Sequence, residues 1–417
     1  MLTNYTIEGF ENIQYQGFLA LQKIENKLSH LFSLYGYHQV STPTFEAYDL
    51  LAPEDAIPSD ELFKLVNHQG KVLALKPDAT LPIARMAAIN HHDSQEIIKF
   101  CYRTNIYRNF ASPDIVKKEI TQMGVEYFGN AMPECDGEII ALAISSLLVN
   151  GIEDIHIDMG HVGFIGQLFD AIGLTGDKRT RLLNLIETKN LGDIRDFLSD
   201  EPYDDATVET ILKMPLLYGD PQEVFSEMDG LCLTDGMRSV VSQLRAIYKH
   251  LEIIGLAQYI TFDLGFTSRM NYYTDLIFKV YVNGWGEPVI GGGRYDNLSA
   301  RFGIDRPACG FAIDILQLMD YMEQNDLLPA DTTSRTVILY DPGDKCQAFD
   351  TADTLRSQGC STEVFQVSDT SLTTKAQLQH NQMYEGASFY YISGGKTFQF
   401  KDDAFKPIAC ITEGMVD

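Results

Sequence analysis

Several side chains in this sequence carry groups suited to holding a small zwitterion. An α-ammonium group needs hydrogen-bond acceptors, and the carboxylate of Asp78, the hydroxyl of Thr80 and the amide oxygen of Gln122 can supply them. The carboxylate of Glu126 can accept a further hydrogen bond, and the paired rings of Tyr272 and Tyr273 can supply a flat wall. The guanidinium fork of Arg108 suits a carboxylate or a phosphate. Residue by residue, each has a plainer reading. Glu126, within VEYF, reads alone as a surface carboxylate on an edge strand, and the two tyrosines read as sheet or core aromatics. Gly291–Gly293 reads as a turn between strands, because it does not open a helix as a phosphate-binding loop does. The nine histidines are scattered without metal-ligand spacing, so neither a metal nor a cofactor is expected.

The elements that must position these groups follow from periodicity. Leu21, Ile24, Leu28, Leu31, Phe32 and Tyr35 recur at helical spacing and predict a helix over 17–35, ended by Gly36. Strands are predicted at Tyr37–Thr42, Val72–Leu75, Phe100–Tyr107 and Glu119–Phe128, followed by a helix over Glu134–Asn150. Residues 164–256 read as a helical insertion between two halves of a sheet domain, with a turn-rich break at Pro215–Pro221. Strands resume at Tyr259–Phe262 and Leu276–Val282, and Pro307–Leu318 reads as a strand running into a helix. A polar, proline-interrupted boundary at Leu328–Arg335 separates a core of residues 1–328 from a small α/β domain over 335–417.

Composition narrows the function classes. The formal net charge is −26, with 58 acidic residues against 32 basic ones. Such a surface repels phosphate backbones, so no nucleic-acid partner is expected. No run of about 18 apolar residues occurs, so no membrane association is expected. The N-terminus has neither the basic nor the apolar stretch of a secretory signal, and seven cysteines without a C-x-x-C pair argue against a disulfide framework. These features lead to the expectation of a cytoplasmic protein with reduced thiols.

Six segments in order resemble class II aminoacyl-tRNA synthetases of the histidyl type. They are LKPDATLPIAR (75–85), YRTNIYRNF (102–110), EITQMGVEYFG (119–129), MNYYTDLIF (270–278), GGGRYDNL (291–298) and PACGFAIDILQL (307–318). The resemblance implies an α+β fold: an antiparallel sheet flanked by helices, a helical insertion and a divergent anticodon-binding-like C-terminal domain. It also implies that Asp78 (shorter than the family's glutamate), Thr80 and Gln122 receive the amine of a bound histidine. By the same resemblance Glu126 and Tyr273 recognise its imidazole beside Tyr272, and Arg108 is the second motif's arginine.

Where the family handles ATP, the chain departs from it. The third motif's arginine is replaced by Gln317, although the apolar frame of Phe311, Ile313, Ile315 and Leu318 remains. Ser268 stands where the family has an arginine before its paired tyrosines, and Phe110 where a glutamate helps hold ATP. Removing one charged contact to a transition state typically costs on the order of 10²–10³ in rate, so three altered positions imply that adenylation is lost. The histidine-recognising positions survive better, as in the paralogous family of ATP phosphoribosyltransferase regulatory subunits. Membership there implies a non-catalytic partner of the short catalytic subunit, with histidine as effector and a homodimer within a hetero-octamer. The alternatives are an active histidyl-tRNA synthetase and a synthetase-like amino-acid sensor with another partner.

Overall fold

The computed structural model describes residues 7–51, 59–93, 96–109, 117–265, 272–329, 335–367, 384, 386–401, 404–409 and 411. The chain divides into two compact units, one of residues 1–12 and 21–328 and the other of residues 13–20 and 329–417. Helix α1 (Tyr15–Leu34) leads to β1 (His38–Val40), β2 (Phe45–Ala47), α2 (Tyr48–Leu51), β3 (Lys64–Val66) and β4 (Val72–Leu75). Helix α3 (Thr80–Asn90) precedes the two long strands β5 (Ile98–Tyr107) and β6 (Glu119–Phe128), then α4 (Pro133–Leu148) and β7 (Ile155–His161). A helical segment follows: α5 (Val162–Ala171), α6 (Gly176–Glu187), α7 (Leu191–Ser199) and α8 (Asp205–Lys213). The short strand β8 (Tyr218–Gly219) then interrupts it before α9 (Pro221–Leu231) and α10 (Asp235–Ile253). Strands β9 (Ile260–Asp263), β10 (Leu276–Val282), β11 (Ile290–Arg294) and β12 (Ala308–Asp314), with helix α11 (Ile315–Gln324), complete the unit.

Nine strands form one sheet in the order β1-β5-β6-β12-β11-β10-β7-β9-β8. It is mixed, not wholly antiparallel as expected. The pairs β1–β5 and β7–β9 are parallel over three residues each, and all its other pairs are antiparallel. Long crossovers separate both parallel pairs in the chain, as parallel pairing requires.

Alternation along the strands sorts the two faces of the sheet. Met123, Val125 and Tyr127 of β6 enter the larger core, which holds Leu21, Ile24, Leu28 and Phe32 of α1 and Ile139, Leu142 and Ile144 of α4. Phe32 meets Phe311 of β12 edge to face, with ring centroids 6.1 Å apart. Burying a side chain of this size contributes about 1.5–3 kcal/mol, which ties α1 to the strand that precedes α11. On the opposite face Tyr102, Phe128, Tyr272 and Tyr295 pack with Ile83, Ala84 and Ala87 of α3.

The glycine run is not a turn. Gly291, Gly292 and Gly293 lie inside β11, between β10 and β12. A Cβ on Gly292 would meet the Gly310 carbonyl at 2.5 Å, and one on Gly293 would meet the Leu276 carbonyl at 2.4 Å and the Tyr273 ring at 2.8 Å. Close approach of neighbouring strands and rings, not chain reversal, demands glycine at these two positions.

The second unit contains a five-stranded sheet in the order β14-β13-β15-β16-β17. Its elements are β13 (Arg335–Tyr340), α12 (Lys345–Ser357), β14 (Ser361–Gln366), β15 (Ser388–Ser393), β16 (Lys396–Lys401) and β17 (Ala404–Ile408). Strand β13 runs parallel to both neighbours, and Gly394 and Gly395 turn β15 into β16 with φ of 56° and 71°. No helix among the described residues is long and apolar enough to cross a membrane.

Candidate amino-acid-binding cleft

All seven residues read from the sequence as ligand-holding line one cleft of about 460 Å³: Asp78, Thr80, Arg108, Gln122, Glu126, Tyr272 and Tyr273. Its floor is the sheet. In register, Glu126 lies beside Gly310 and Gly310 beside Gly293, while one step along, Gly124 lies beside Ala312 and Ala312 beside Gly291. These small residues leave the sheet surface bare between the side chains that rise from it. A Cβ on Gly310 would stand 2.2 Å from Glu126 Oε2, so the Glu126 carboxylate needs a glycine beside it.

Glu126 is not on an edge strand. It sits on β6, with β5 on one side and β12 on the other, and is 1% exposed. The Thr80 hydroxyl donates to its Oε1 at 2.8 Å, and the Tyr295 hydroxyl donates to Oε2. Burial lifts its pKa from 4.5 to about 8; those two donors oppose the shift and the charge on Asp78 adds to it. The carboxyl therefore keeps its proton to higher pH than a solvated glutamate does.

Asp78 precedes α3. Its Oδ1 accepts from the Leu81 backbone N–H at 2.8 Å, capping the helix start, and its Oδ2 accepts from the Tyr272 hydroxyl at 3.2 Å. Burial raises its pKa, while the Leu81 N–H, the Arg108 charge and the Tyr272 hydroxyl pull it down. Arg108 follows β5 and donates Nε to the Pro77 carbonyl at 2.8 Å, tying it to the chain just before Asp78. Tyr272, Tyr273 and Tyr295 form an aromatic wall, with centroids of the first pair 4.9 Å apart and Tyr272 and Tyr295 at 5.7 Å. Burial pushes all three phenols above their ordinary range, so they remain hydroxyl donors.

Arg294 of the GGGRYDNL segment faces away from the cleft, into the protein. It is 1% exposed and meets Asp136 of α4, which is fully buried. Its Nε donates to Asp136 Oδ1 at 3.0 Å, and its Nη1 donates to the Asn130 carbonyl and to Asp296 Oδ1, both at 3.1 Å. Nη2 lies 2.9 Å from Asp136 Oδ1 in ionic contact, without a hydrogen-bonding angle. This pair locks β11, and with it the next residue, Tyr295, against α4.

Gln317, read from the sequence as an altered nucleotide position, is in the first turn of α11. Its Nε2 points at Glu287 Oε2, 3.3 Å away. Phe110, Ser268 and Arg269 lie outside the described residues. Sequence reasoning missed Tyr102, Tyr295, Lys279 and Glu187, which also line the cleft. Tyr295 was within reach, since it belongs to GGGRYDNL. Lys279 is found by counting in twos from Ile277 along β10, whereas Glu187 arrives from α6 with no local signal.

A sheet carrying an amino-acid-sized cleft, with a helical segment inserted between its strands, defines a histidyl-tRNA-synthetase-like protein. The histidyl-tRNA synthetase family model matches residues 9–318. The chain belongs, within that class, to the family of ATP phosphoribosyltransferase regulatory subunits. It is 32% identical to the ATP phosphoribosyltransferase regulatory subunit of Clostridium kluyveri over 365 residues, 86% of this chain and 93% of that protein. The protein of that name from Oceanobacillus iheyensis is 33% identical over 362 residues, 87% of this chain and 88% of the relative. Among solved structures, an ATP phosphoribosyltransferase regulatory subunit/histidyl-tRNA synthetase from Bacillus halodurans superposes with a TM-score of 0.80 at 27% identity, covering 94% of this chain and 99% of that one. Histidyl-tRNA synthetase from Nostoc gives 0.77 at 16% identity over 98% and 97% of the two chains, a likeness of fold.

Proposed function

We propose that this chain is the non-catalytic regulatory subunit of ATP phosphoribosyltransferase, activating the short catalytic subunit and transmitting feedback inhibition by histidine in the first step of histidine biosynthesis. One observation carries the reading. The residues suited to an amino acid's amine and ring converge on a single cleft, while the third-motif position bears Gln317, turned toward a carboxylate. In this reading Asp78, Thr80 and Gln122 take the ammonium group and Glu126 and Tyr273 take the imidazole, with Tyr272 and Arg108 beside them. Without cations at 268 and 317, the cleft binds histidine as an effector and does not adenylate it. Feedback requires histidine to favour one state of the complex over another, with a coupling of typically 1–3 kcal/mol.

The family resemblance extends the proposal to a cytoplasmic homodimer, formed through α1 and β1, within a hetero-octamer. The core of 1–328, with its helical insertion at about 164–256, carries the effector site. Residues 335–417 form a divergent anticodon-binding-like domain with no RNA to hold, in keeping with the net charge of −26. The test is phosphoribosyl-ATP formation by the short catalytic subunit, with and without this chain, across a histidine titration. Activation that histidine reverses is the expected result. A folded protein that neither binds nor activates the catalytic subunit overturns the proposal, and pyrophosphate exchange with histidine then tests for a synthetase.

A further inference from the structure

An amino acid bound in this cleft brings a third group, its carboxylate, for which the sequence offers Arg108 and the structure adds a second cation. This inference rests on the histidine-binding reading above. Two cations line the cleft among the described residues, Arg108 and Lys279. Their places on the sheet differ. Lys279 pairs in register with Gly291, Gly291 with Ala312, Ala312 with Gly124 and Gly124 with Tyr102. That row lies one step of two residues from the row of Glu126 and one such step from that of Gln122. Arg108 follows β5 and commits Nε to the Pro77 carbonyl, with its charge acting on Asp78, Tyr102 and Tyr273.

The alternation of β10 places Lys279 on the cleft face. Leu276, Phe278, Val280 and Val282 enter the larger core, leaving Ile277, Lys279 and Tyr281 on the opposite side. Between Glu126 and Lys279 the floor is Gly310, Gly293, Ala312 and Gly291, and a Cβ on Gly291 would touch nothing within 4 Å. Three strand spacings and two residues separate the two backbones by roughly 15 Å, a span that their side chains and one amino acid fill. Two acids belong to this end: Asp158 is the register partner of Lys279 on β7, and Glu187, at the end of α6, lines the cleft. Glu187 is set by an anchored turn. Lys189, with φ of 52°, reaches Asp263 Oδ2 on β9 at 2.9 Å.

We propose that Lys279 is the carboxylate anchor of the cleft: its ammonium binds the α-carboxylate of the effector, and Glu187 walls off that end. The site then requires a free amino acid, whose carboxylate is read from β10 while β6 serves both its ring and its amine.

The experiment is calorimetric titration of the full chain with histidine and with histidinol, in which a hydroxymethyl group replaces the carboxylate. Wild type is expected to prefer histidine by about tenfold or more, the scale of one charge-assisted hydrogen bond. Lys279→Met should abolish that preference while leaving histidinol binding unchanged, which also reports an intact cleft, and Lys279→Arg should retain it. A Lys279→Met protein with undiminished preference for histidine overturns the proposal and assigns the carboxylate to Arg108. If wild type binds neither ligand, the histidine reading itself falls, a result distinct from loss of the preference alone.

Discussion

Replacing Glu126 with glutamine isolates the cost of keeping an acid on this floor. The wild-type carboxyl titrates near 4.5 when solvated and at about 8 in the folded protein. Between those values the folded state holds a proton that the unfolded state releases, so stability falls as pH rises through the window. The contribution is fully present below about pH 4.5 and gone above about pH 8. About 3.5 pH units at ~1.36 kcal/mol each set a ceiling of about 5 kcal/mol for the change. Glutamine keeps the shape and an oxygen for the Thr80 hydroxyl, and the Tyr295 hydroxyl can rotate to accept from its amide. Guanidinium unfolding at fixed protein concentration, at steps from about pH 5 to about pH 9, measures the difference between the two proteins. Glu126→Gln should gain on wild type with a slope approaching 1.4 kcal/mol per pH unit, levelling off above about pH 8. A difference that stays flat across the range would show that Glu126 is ionised in the folded state and refute the protonated-cleft argument.

Glu126→Ala should weaken histidine inhibition of the assembled phosphoribosyltransferase while circular dichroism stays unchanged; unaltered inhibition would remove Glu126 from the effector site. Gly310→Ala places a methyl carbon where Glu126 Oε2 stands, and should cost about 1–3 kcal/mol in unfolding free energy and loosen histidine binding. Arg294→Met leaves the buried Asp136 charge unpaired and should cost about 3–5 kcal/mol, whereas adding Asp136→Leu should recover most of the loss in a thermal melt. Cys135 and Cys309 are buried with their sulfurs 3.1 Å apart, and burial holds the Cys309 thiol well above its ordinary range. The exposed Cys346 should therefore react with a thiol reagent in the native protein while these two react only on unfolding.

Much of the fold was legible because its signals are local. The spacing of Leu21, Ile24, Leu28 and Phe32 marks α1, and these four side chains are buried where that helix meets the sheet. The strand and helix read at Pro307–Leu318 emerge as β12 and α11. Helix α3 was missed because its most apolar residues, Leu81 to Ala88, follow a proline and an aspartate and show little periodicity. The hairpin of β15 and β16 carries its signal in Gly394–Gly395, a turn pair that alternation alone does not find. The glycine run misled for a physical reason: residues that must be small because a neighbour is close look like residues that must be small to turn. In the cleft, the predicted residues came from ordered motifs. Lys279 and Glu187 depend on which strands become neighbours and on how an inserted helix ends, facts of tertiary structure that no short segment contains.

The inward-facing Arg294 also changes what the chain's most recognisable segment can tell a reader of genomes. GGGRYDNL looks like a signature of chemistry, but its arginine grips a buried aspartate and its glycines make room for neighbouring strands and rings. Selection for a folded sheet is enough to retain such a string whether or not the chain catalyses a reaction. It marks ancestry and not activity.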